Sequence, residues 1–225
     1  REDDTVNAIA VKVKDLNTLP YPARHLLDMN KYTSLPNTYK TSPNVFQMVT
    51  SRGCPYTCTF CFDARGTFRQ RSVQNVVGEI KLLIKEYGVK EVAFWDDIMT
   101  INKRWMHEFC DAMEKENINL VWSCYTRLNL VDKPLLEHMK KAGCWNIFFG
   151  IEAGDQELLD NMKKLMTLEQ MRQAVRWPQE AGIEIRGSFM IGLPGETPEK
   201  ARKTIQFAIE LEPDYAQFSI TTPFP

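Results

Sequence analysis

Three cysteines lie within eight residues, in the segment Gly53-Cys54-Pro-Tyr-Thr-Cys58-Thr-Phe-Cys61. They crowd more closely than the cysteines of a disulfide framework, and six cysteines in 225 residues are too sparse for a secreted disulfide scaffold. Three thiolates can instead ligate three irons of a cubane and leave the fourth iron open to a substrate. The alternatives are a zinc site, which would want a fourth Cys or His nearby, and three unrelated cysteines.

The cysteines follow the first of six predicted strands. From Val45 onward, short runs rich in Val, Ile and Phe alternate with amphipathic segments of helical period, which is typical of parallel βαβ units. The predicted strands lie near residues 45–51, 91–96, 120–125, 145–151, 184–191 and 215–221. Because a closed barrel needs eight strands, these units predict an α/β fold, an open partial (β/α)6 barrel of the TIM type with parallel strands. The cysteines then lie at the carboxyl ends of the strands, where such barrels carry their active sites.

The helices between these strands carry clear start and stop signals. Apolar residues follow a period of 3.6 from Val73 to Tyr87, with Ser72 as the predicted N-cap and Gly88 as the stop. Asp132, the capping box from Thr167 to Gln170, and Thr197 predict three later helix starts.

Residues 1–44 differ from the rest. They contain four prolines and little periodicity, which predicts an extended lead-in or linker with one short helix near residues 23–28. Residues 45–225 form the predicted core. Because the sequence stops directly after a strand, we expect a fragment of a longer chain.

The charge balance excludes long-range attraction to polyanions. The 28 basic and 29 acidic residues leave a net charge of −1, so neither a nucleic acid nor a membrane is an expected partner. No apolar run reaches the roughly 20 residues that span a bilayer, and the start lacks signal-peptide order, which predicts a cytoplasmic protein. We expect a small organic substrate.

The cysteine motif resembles that of the radical S-adenosylmethionine (SAM) superfamily, in which C-x3-C-x2-C carries an aromatic residue before its last cysteine, here Phe60. The resemblance implies a [4Fe-4S] cluster held by Cys54, Cys58 and Cys61 and a bound S-adenosylmethionine that chelates the open iron. An electron, from a reductant such as flavodoxin or ferredoxin, would then cleave the cofactor to a 5′-deoxyadenosyl radical.

The resemblance also implies further cofactor contacts at the strand ends. Asp96 and Asp97 follow the second strand, Glu152 ends the fourth, and Arg127 follows the third, where it would meet the methionine carboxylate. Arg186 and Ser188 lie on the fifth strand, before a glycine-rich segment. An equally open alternative is that Asp96, Asp97 and Glu152 are ordinary carboxylates at helix starts.

The lead-in resembles the junction in radical enzymes that carry a cobalamin-binding domain, a group that includes methyltransferases and the anaerobic cyclase of bacteriochlorophyll synthesis. The Asp-x-His-x-x-Gly cobalamin motif does not occur in these 225 residues, so cobalamin would require another domain. We therefore expect a radical enzyme core acting on an unknown organic substrate, by methyl transfer or oxidative cyclisation. The competing functions are a methylthiotransferase of RNA or protein and a non-catalytic iron-sulfur electron carrier.

Single replacement of Cys54, Cys58 or Cys61 by Ala should abolish cluster binding, because each thiolate ligates a different iron. The measurement is iron content and visible absorption after anaerobic reconstitution. Cys110→Ala is the control and should keep the cluster. Equal iron loss in the control would show that the ligand assignment is wrong.

Overall fold

The computed structural model describes residues 12–35, 38–62 and 66–222. Parts of the predicted lead-in and core, including residues 1–11 and 223–225, lie outside the described residues.

Six parallel strands form one open sheet in the order β1-β4-β5-β6-β7-β8, which confirms the predicted fold class. Each of these strands lies beside its neighbour along the chain, as expected for successive β/α units. The strands are β1 (Phe46–Met48), β4 (Glu91–Phe94), β5 (Val121–Thr126), β6 (Cys144–Glu152), β7 (Glu184–Ile191) and β8 (Tyr215–Ile220).

Helices cover one face of this sheet and bury its core side. Phe94 of β4, Phe109 and Trp122 meet edge to face, with ring centroids 5.6 to 5.7 Å apart, and all three are fully buried. The helices are α1 (Val73–Tyr87), α2 (Lys103–Lys115), α3 (Lys133–Lys141), α4 (Gln156–Asn161), α5 (Leu168–Glu180) and α6 (Pro198–Leu211).

The predicted helix caps are confirmed. Ser72, Asp132 and Thr197 each accept a hydrogen bond from a backbone amide in the first turn of their helix. Thr167 and Gln170 form both bonds of the capping box. Gly88 ends α1 in the left-handed conformation.

The predicted first strand, 45–51, is too long. β1 ends at Met48, and Ser51–Arg52 instead form a short strand, β2, which pairs antiparallel with β3 (Arg69–Gln70) outside the main sheet. The physical reason is that the Thr50 amide donates its hydrogen bond to the buried carboxylate of Asp96, at 3.0 Å, and so cannot donate to a neighbouring strand.

The lead-in packs against the core through two buried carboxylates. Glu79 of α1 pairs with Arg24 and with Arg71, at 2.7 and 2.6 Å. Glu91, at the amino end of β4, accepts hydrogen bonds from the backbone amides of Lys40 and Thr41. The predicted short helix at 23–28 is a single 3-10 turn, Arg24–Leu26, and two further 3-10 turns lie at Leu16–Thr18 and Met29–Lys31.

The last strand of the sheet is exposed. Every residue of β8 is solvent-accessible, and among the described strands β8 pairs only with β7. Within the described part of the chain, no helix combines the length and apolar character needed to cross a membrane.

Glu91→Ala should lower the free energy of unfolding by about 1–3 kcal/mol, because the Lys40 and Thr41 amides lose a charged acceptor that is itself buried. Urea denaturation measures the change. Glu86→Ala, which removes a half-exposed carboxylate from α1, is the control and should change stability by less than about 0.5 kcal/mol. An equal loss in both variants would contradict the tethering role of Glu91.

Candidate cluster-binding site

The cysteine motif lies on a loop whose two ends are held together by the β2–β3 ladder. Ser51 pairs with Gln70 and Arg52 with Arg69, so the chain between them leaves and returns at one place. Gly53 begins the loop at φ +85°, and a Cβ there would lie 2.4 Å from the carbonyl oxygen of Thr67. Only glycine fits this close approach without moving the backbone.

Asp96 and Asp97 both support this loop. Asp96 is buried and accepts hydrogen bonds from the Thr50 amide, the Thr50 hydroxyl at 2.7 Å and the Ser51 hydroxyl at 2.5 Å. Asp97 accepts from the Gly53 amide at 3.1 Å. Neither carboxylate caps a helix, since Asn102 caps α2, so the helix-start alternative is wrong for this pair.

Burial raises the pKa of Asp96, although the hydrogen bonds from Ser51 and Thr50 lower it in part. Such a carboxylate is a structural anchor whose acceptors are already engaged. The structure therefore places Asp96 beneath the start of the cysteine loop, while Asp97 lies at its exposed start.

The three thiols share the loop but differ in exposure. Cys54 and Cys58 are buried, whereas Cys61 is exposed. Burial raises the pKa of the Cys54 thiol, the Tyr56 backbone hydrogen bond lowers it, and the nearby Cys61 and Cys58 raise it further. Phe60 packs against the hydrophobic core and so anchors the loop between two cysteines.

Within residues 12–35, 38–62 and 66–222, no group of three or more His, Cys, Asp or Glu side chains is arranged to hold a single metal ion. A [4Fe-4S] cube makes a different demand, since its cysteines bind separate irons and need not converge on one point. Three neighbouring thiols on one loop, two of them buried, fit a [4Fe-4S] cluster.

Arg127 connects the cysteine loop to the strand ends. Its guanidinium donates to Cys58 Sγ at 3.3 Å, to the Asn129 side chain at 3.2 Å and to the Lys164 carbonyl oxygen. It also lies over the ring of Tyr56, 4.0 Å from the ring centroid. Arg127 is buried, and each of its three guanidinium nitrogens donates one hydrogen bond within the protein.

Glu152 forms a buried ion pair that the sequence did not reveal. Lys164 Nζ lies 2.8 Å from Glu152 Oε1, and the two side chains are 4% and 9% exposed. Glu152 takes a left-handed φ of +74° at the end of β6. Asp155 caps α4, so the helix-start alternative is wrong for Glu152 as well.

The segment after α4 supports the cysteine loop from below. Met162 O accepts from the Thr59 amide at 3.1 Å, and Lys163 O lies 3.9 Å from Cys58 Sγ. Lys163 and Leu165 both have positive φ, so the backbone presents successive carbonyls to the loop. Sequence reasoning missed this segment, because Lys163 and Lys164 form an ordinary pair of lysines in the sequence.

Ser188 and Arg186 lie at different heights on β7. Ser188 is in register with Gly150, near the end of β6. Arg186 is in register with Phe148, which is two residues nearer the amino end of each strand. Arg186 lies over the Phe148 ring at 5.2 Å. The structure thus brings Cys58, Arg127 and Glu152 together through Lys164, and leaves Arg186 apart from them.

Comparison with known proteins identifies a family for most of the chain. The profile of the Radical SAM superfamily matches residues 48–208. An uncharacterised methyltransferase of Pyrococcus horikoshii is 36% identical over 95% of this chain and 46% of its own length. The anaerobic magnesium-protoporphyrin IX monomethyl ester cyclase of Rubrivivax gelatinosus is 32% identical over 95% of this chain and 38% of its own length.

A solved structure shows the same likeness. The radical S-adenosylmethionine methyltransferase TsrM of Kitasatospora setae, with cobalamin and a [4Fe-4S] cluster bound, superposes with a TM-score of 0.71. It is 26% identical, and the match covers 78% of this chain and 34% of that one. The chain spans less than half of the length of each of these relatives.

Glu152→Gln should lower the free energy of unfolding by about 3–5 kcal/mol, because it leaves the Lys164 ammonium buried without a counter-charge. We also expect S-adenosylmethionine to bind roughly ten- to a hundredfold more weakly at equal iron content, through loss of a charge-assisted contact to the cofactor. Urea denaturation and cofactor titration of the reconstituted protein measure the two effects.

The double variant Glu152→Gln/Lys164→Met separates these roles. It removes both buried charges and should regain most of the stability while keeping the weak cofactor binding. Recovery of wild-type cofactor affinity would show that Glu152 acts only through Lys164. The exposed pair Glu116→Gln/Lys81→Met is the matched control and should change neither quantity.

Proposed function

This chain belongs to the radical SAM superfamily. We propose that it binds a [4Fe-4S] cluster through Cys54, Cys58 and Cys61 and that this cluster cleaves S-adenosylmethionine reductively. The chain is an enzyme of this superfamily, with methyltransferases and cyclases among its relatives. The single observation that carries the proposal is the loop of three thiols at the carboxyl ends of the strands, with a guanidinium donating to one sulfur.

Cys54, Cys58 and Cys61 would hold the cluster, which would pass one electron from a reductant such as flavodoxin or ferredoxin to S-adenosylmethionine and so cleave it to methionine and a 5′-deoxyadenosyl radical. The residues of the chain hold and shield the site. Arg127 donates to Cys58 Sγ and lies against Tyr56, which limits water access. Asp97 fixes the Gly53 amide where the loop begins.

The cofactor contacts lie at the rim that these residues form. Glu152 is the carboxylate for a cationic group of S-adenosylmethionine, and the buried ion pair with Lys164 holds its side chain in place at the end of β6. Ser188 supplies a hydroxyl at the end of the next strand. Arg186 lies two residues before Ser188 on the same strand, in register with Phe148.

The reaction we propose is methyl transfer to a carbon of an organic substrate. The support is the 36% identity over 95% of this chain with the Pyrococcus horikoshii methyltransferase and the likeness to TsrM, whose structure holds cobalamin. Cobalamin would be held by a domain outside the 225 residues, because the Asp-x-His-x-x-Gly motif does not occur in them.

Anaerobic reconstitution tests the proposal. The protein should take up about four irons in one cube and change its visible spectrum when S-adenosylmethionine is added, because the open iron accepts the amino and carboxylate groups. With dithionite as reductant it should form 5′-deoxyadenosine, measured by chromatography and mass spectrometry. Cys58→Ala is the control and should form none.

One equivalent of zinc with no iron after reconstitution would contradict the proposal. A complete cluster that neither responds to S-adenosylmethionine nor yields 5′-deoxyadenosine would favour an electron carrier instead.

A further inference from the structure

A row of side chains crosses the face of the sheet that the helices leave open. Cross-strand register and ring contacts place its members side by side on five neighbouring strands or strand ends: Trp95, Tyr125, Phe148, Arg186 and Tyr215. The ring centroids of Trp95 and Tyr125 are 5.9 Å apart, and those of Tyr125 and Phe148 are 4.8 Å apart. We call these five residues the aromatic row.

Strand alternation puts the aromatic row opposite the helices. Cys124, Ile147 and Ile185, which precede three of its members, are 0–1% exposed in the hydrophobic core. Members of the row are open instead: Trp95 is 53% exposed and Tyr215 is 42% exposed. Large rings at this exposure form a surface that a flat molecule can cover.

Arg186 is the cation of the row and is not neutralised by the protein. Among the described residues its guanidinium makes no hydrogen bond and no ion pair, and its contact is with the Phe148 ring at 5.2 Å. Glu184 lies on the same face of β7, one level nearer the amino end, and does not pair with it. Arg71 and Arg127, by contrast, have donors engaged within the protein.

The aromatic row lies directly beneath the proposed reaction site. Arg186 precedes Ser188 by two residues, which corresponds to roughly 6.6 Å along a strand. Gly150 and Glu152 lie at and beyond the Ser188 level on β6. A molecule lying on the row therefore presents its upper edge to the rim that carries the cysteine loop.

We propose that the aromatic row binds the substrate and that this substrate is a planar, conjugated ring system carrying a carboxylate. The proposal rests on the proposed function, because it concerns the substrate of that same site. The rings of Trp95, Tyr125 and Phe148 lie along two strand spacings of roughly 4.8 Å each, the span of a fused system of a few rings. Neighbouring rings are tilted by 60° and 40°, so they contact the conjugated system by edges as well as faces. The guanidinium of Arg186 takes the carboxylate through paired hydrogen bonds.

Pyrenecarboxylate is the test probe, titrated into the anaerobically reconstituted protein and followed by its fluorescence anisotropy. It should bind at least tenfold more tightly than pyrenemethanol or pyrenemethylamine, since only the acid can pair with Arg186. Decanoate, an aliphatic carboxylate, should compete weakly, because it cannot stack on the rings. Equal binding of the acid and the amine, or no binding at the solubility limit, would overturn the proposal.

Matched variants locate the probe. Arg186→Gln should weaken pyrenecarboxylate binding roughly tenfold or more, and Phe148→Leu about three- to tenfold. Arg176→Gln removes an exposed charge from α5, and Phe218→Leu removes a ring stacked on Phe189 on the opposite face of the sheet. Both controls should bind as the wild type does, and equal losses in a control and its matched variant would contradict the assignment.

Saturating S-adenosylmethionine separates the substrate from the cofactor. We expect the probe to bind equally well with the cofactor present, whereas competition would assign the row to S-adenosylmethionine and overturn the proposal. Formation of 5′-deoxyadenosine by the wild type judges the proposed function independently. If the wild type forms 5′-deoxyadenosine but does not bind pyrenecarboxylate, the substrate inference is wrong and the proposed function stands. If it neither forms 5′-deoxyadenosine nor binds the probe, both the inference and the proposed function are wrong.

Discussion

The buried carboxylate of Asp96 sets the geometry of the whole site. It lies just after β4 and accepts hydrogen bonds from the Thr50 amide, the Thr50 hydroxyl and the Ser51 hydroxyl. These bonds fix the direction in which the chain leaves β1. That direction brings Ser51 and Arg52 into the β2–β3 ladder, which closes the cysteine loop. A buried carboxylate must satisfy its acceptors within the protein, and this requirement joins two strand ends that are 46 residues apart.

The features that the sequence predicted are those encoded locally. The apolar periodicity of α1, with Ser72 and Gly88 at its ends, specifies a helix without any other part of the chain. The spacing of Cys54, Cys58 and Cys61 likewise predicts a ligand set from one loop alone. The six strands follow from the same local alternation. Their common rim could be anticipated because parallel strands point the same way, which brings Asp97, Arg127 and Glu152 to one edge.

The features that escaped prediction depend on pairing across the chain. Lys164 has no pattern that connects it to Glu152, and only the turn after α4, with its positive φ values, brings the ammonium under the strand end. The contacts of Arg127 with Cys58 and with the Lys164 carbonyl likewise have no signal in the sequence. In each case the partner was fixed by burial, since a charge removed from water takes whichever counter-group the fold supplies.

The exposed edge of β8 has a consequence for the behaviour of this chain in solution. β8 carries a row of backbone amides and carbonyls beside Phe218 and Ile220, which are 44% and 84% exposed. A strand of this kind is a template on which a further strand can add by hydrogen bonding, including the same strand of a second molecule. Self-association of the 225-residue chain would therefore begin at this edge and rise with protein concentration, independently of the cysteines.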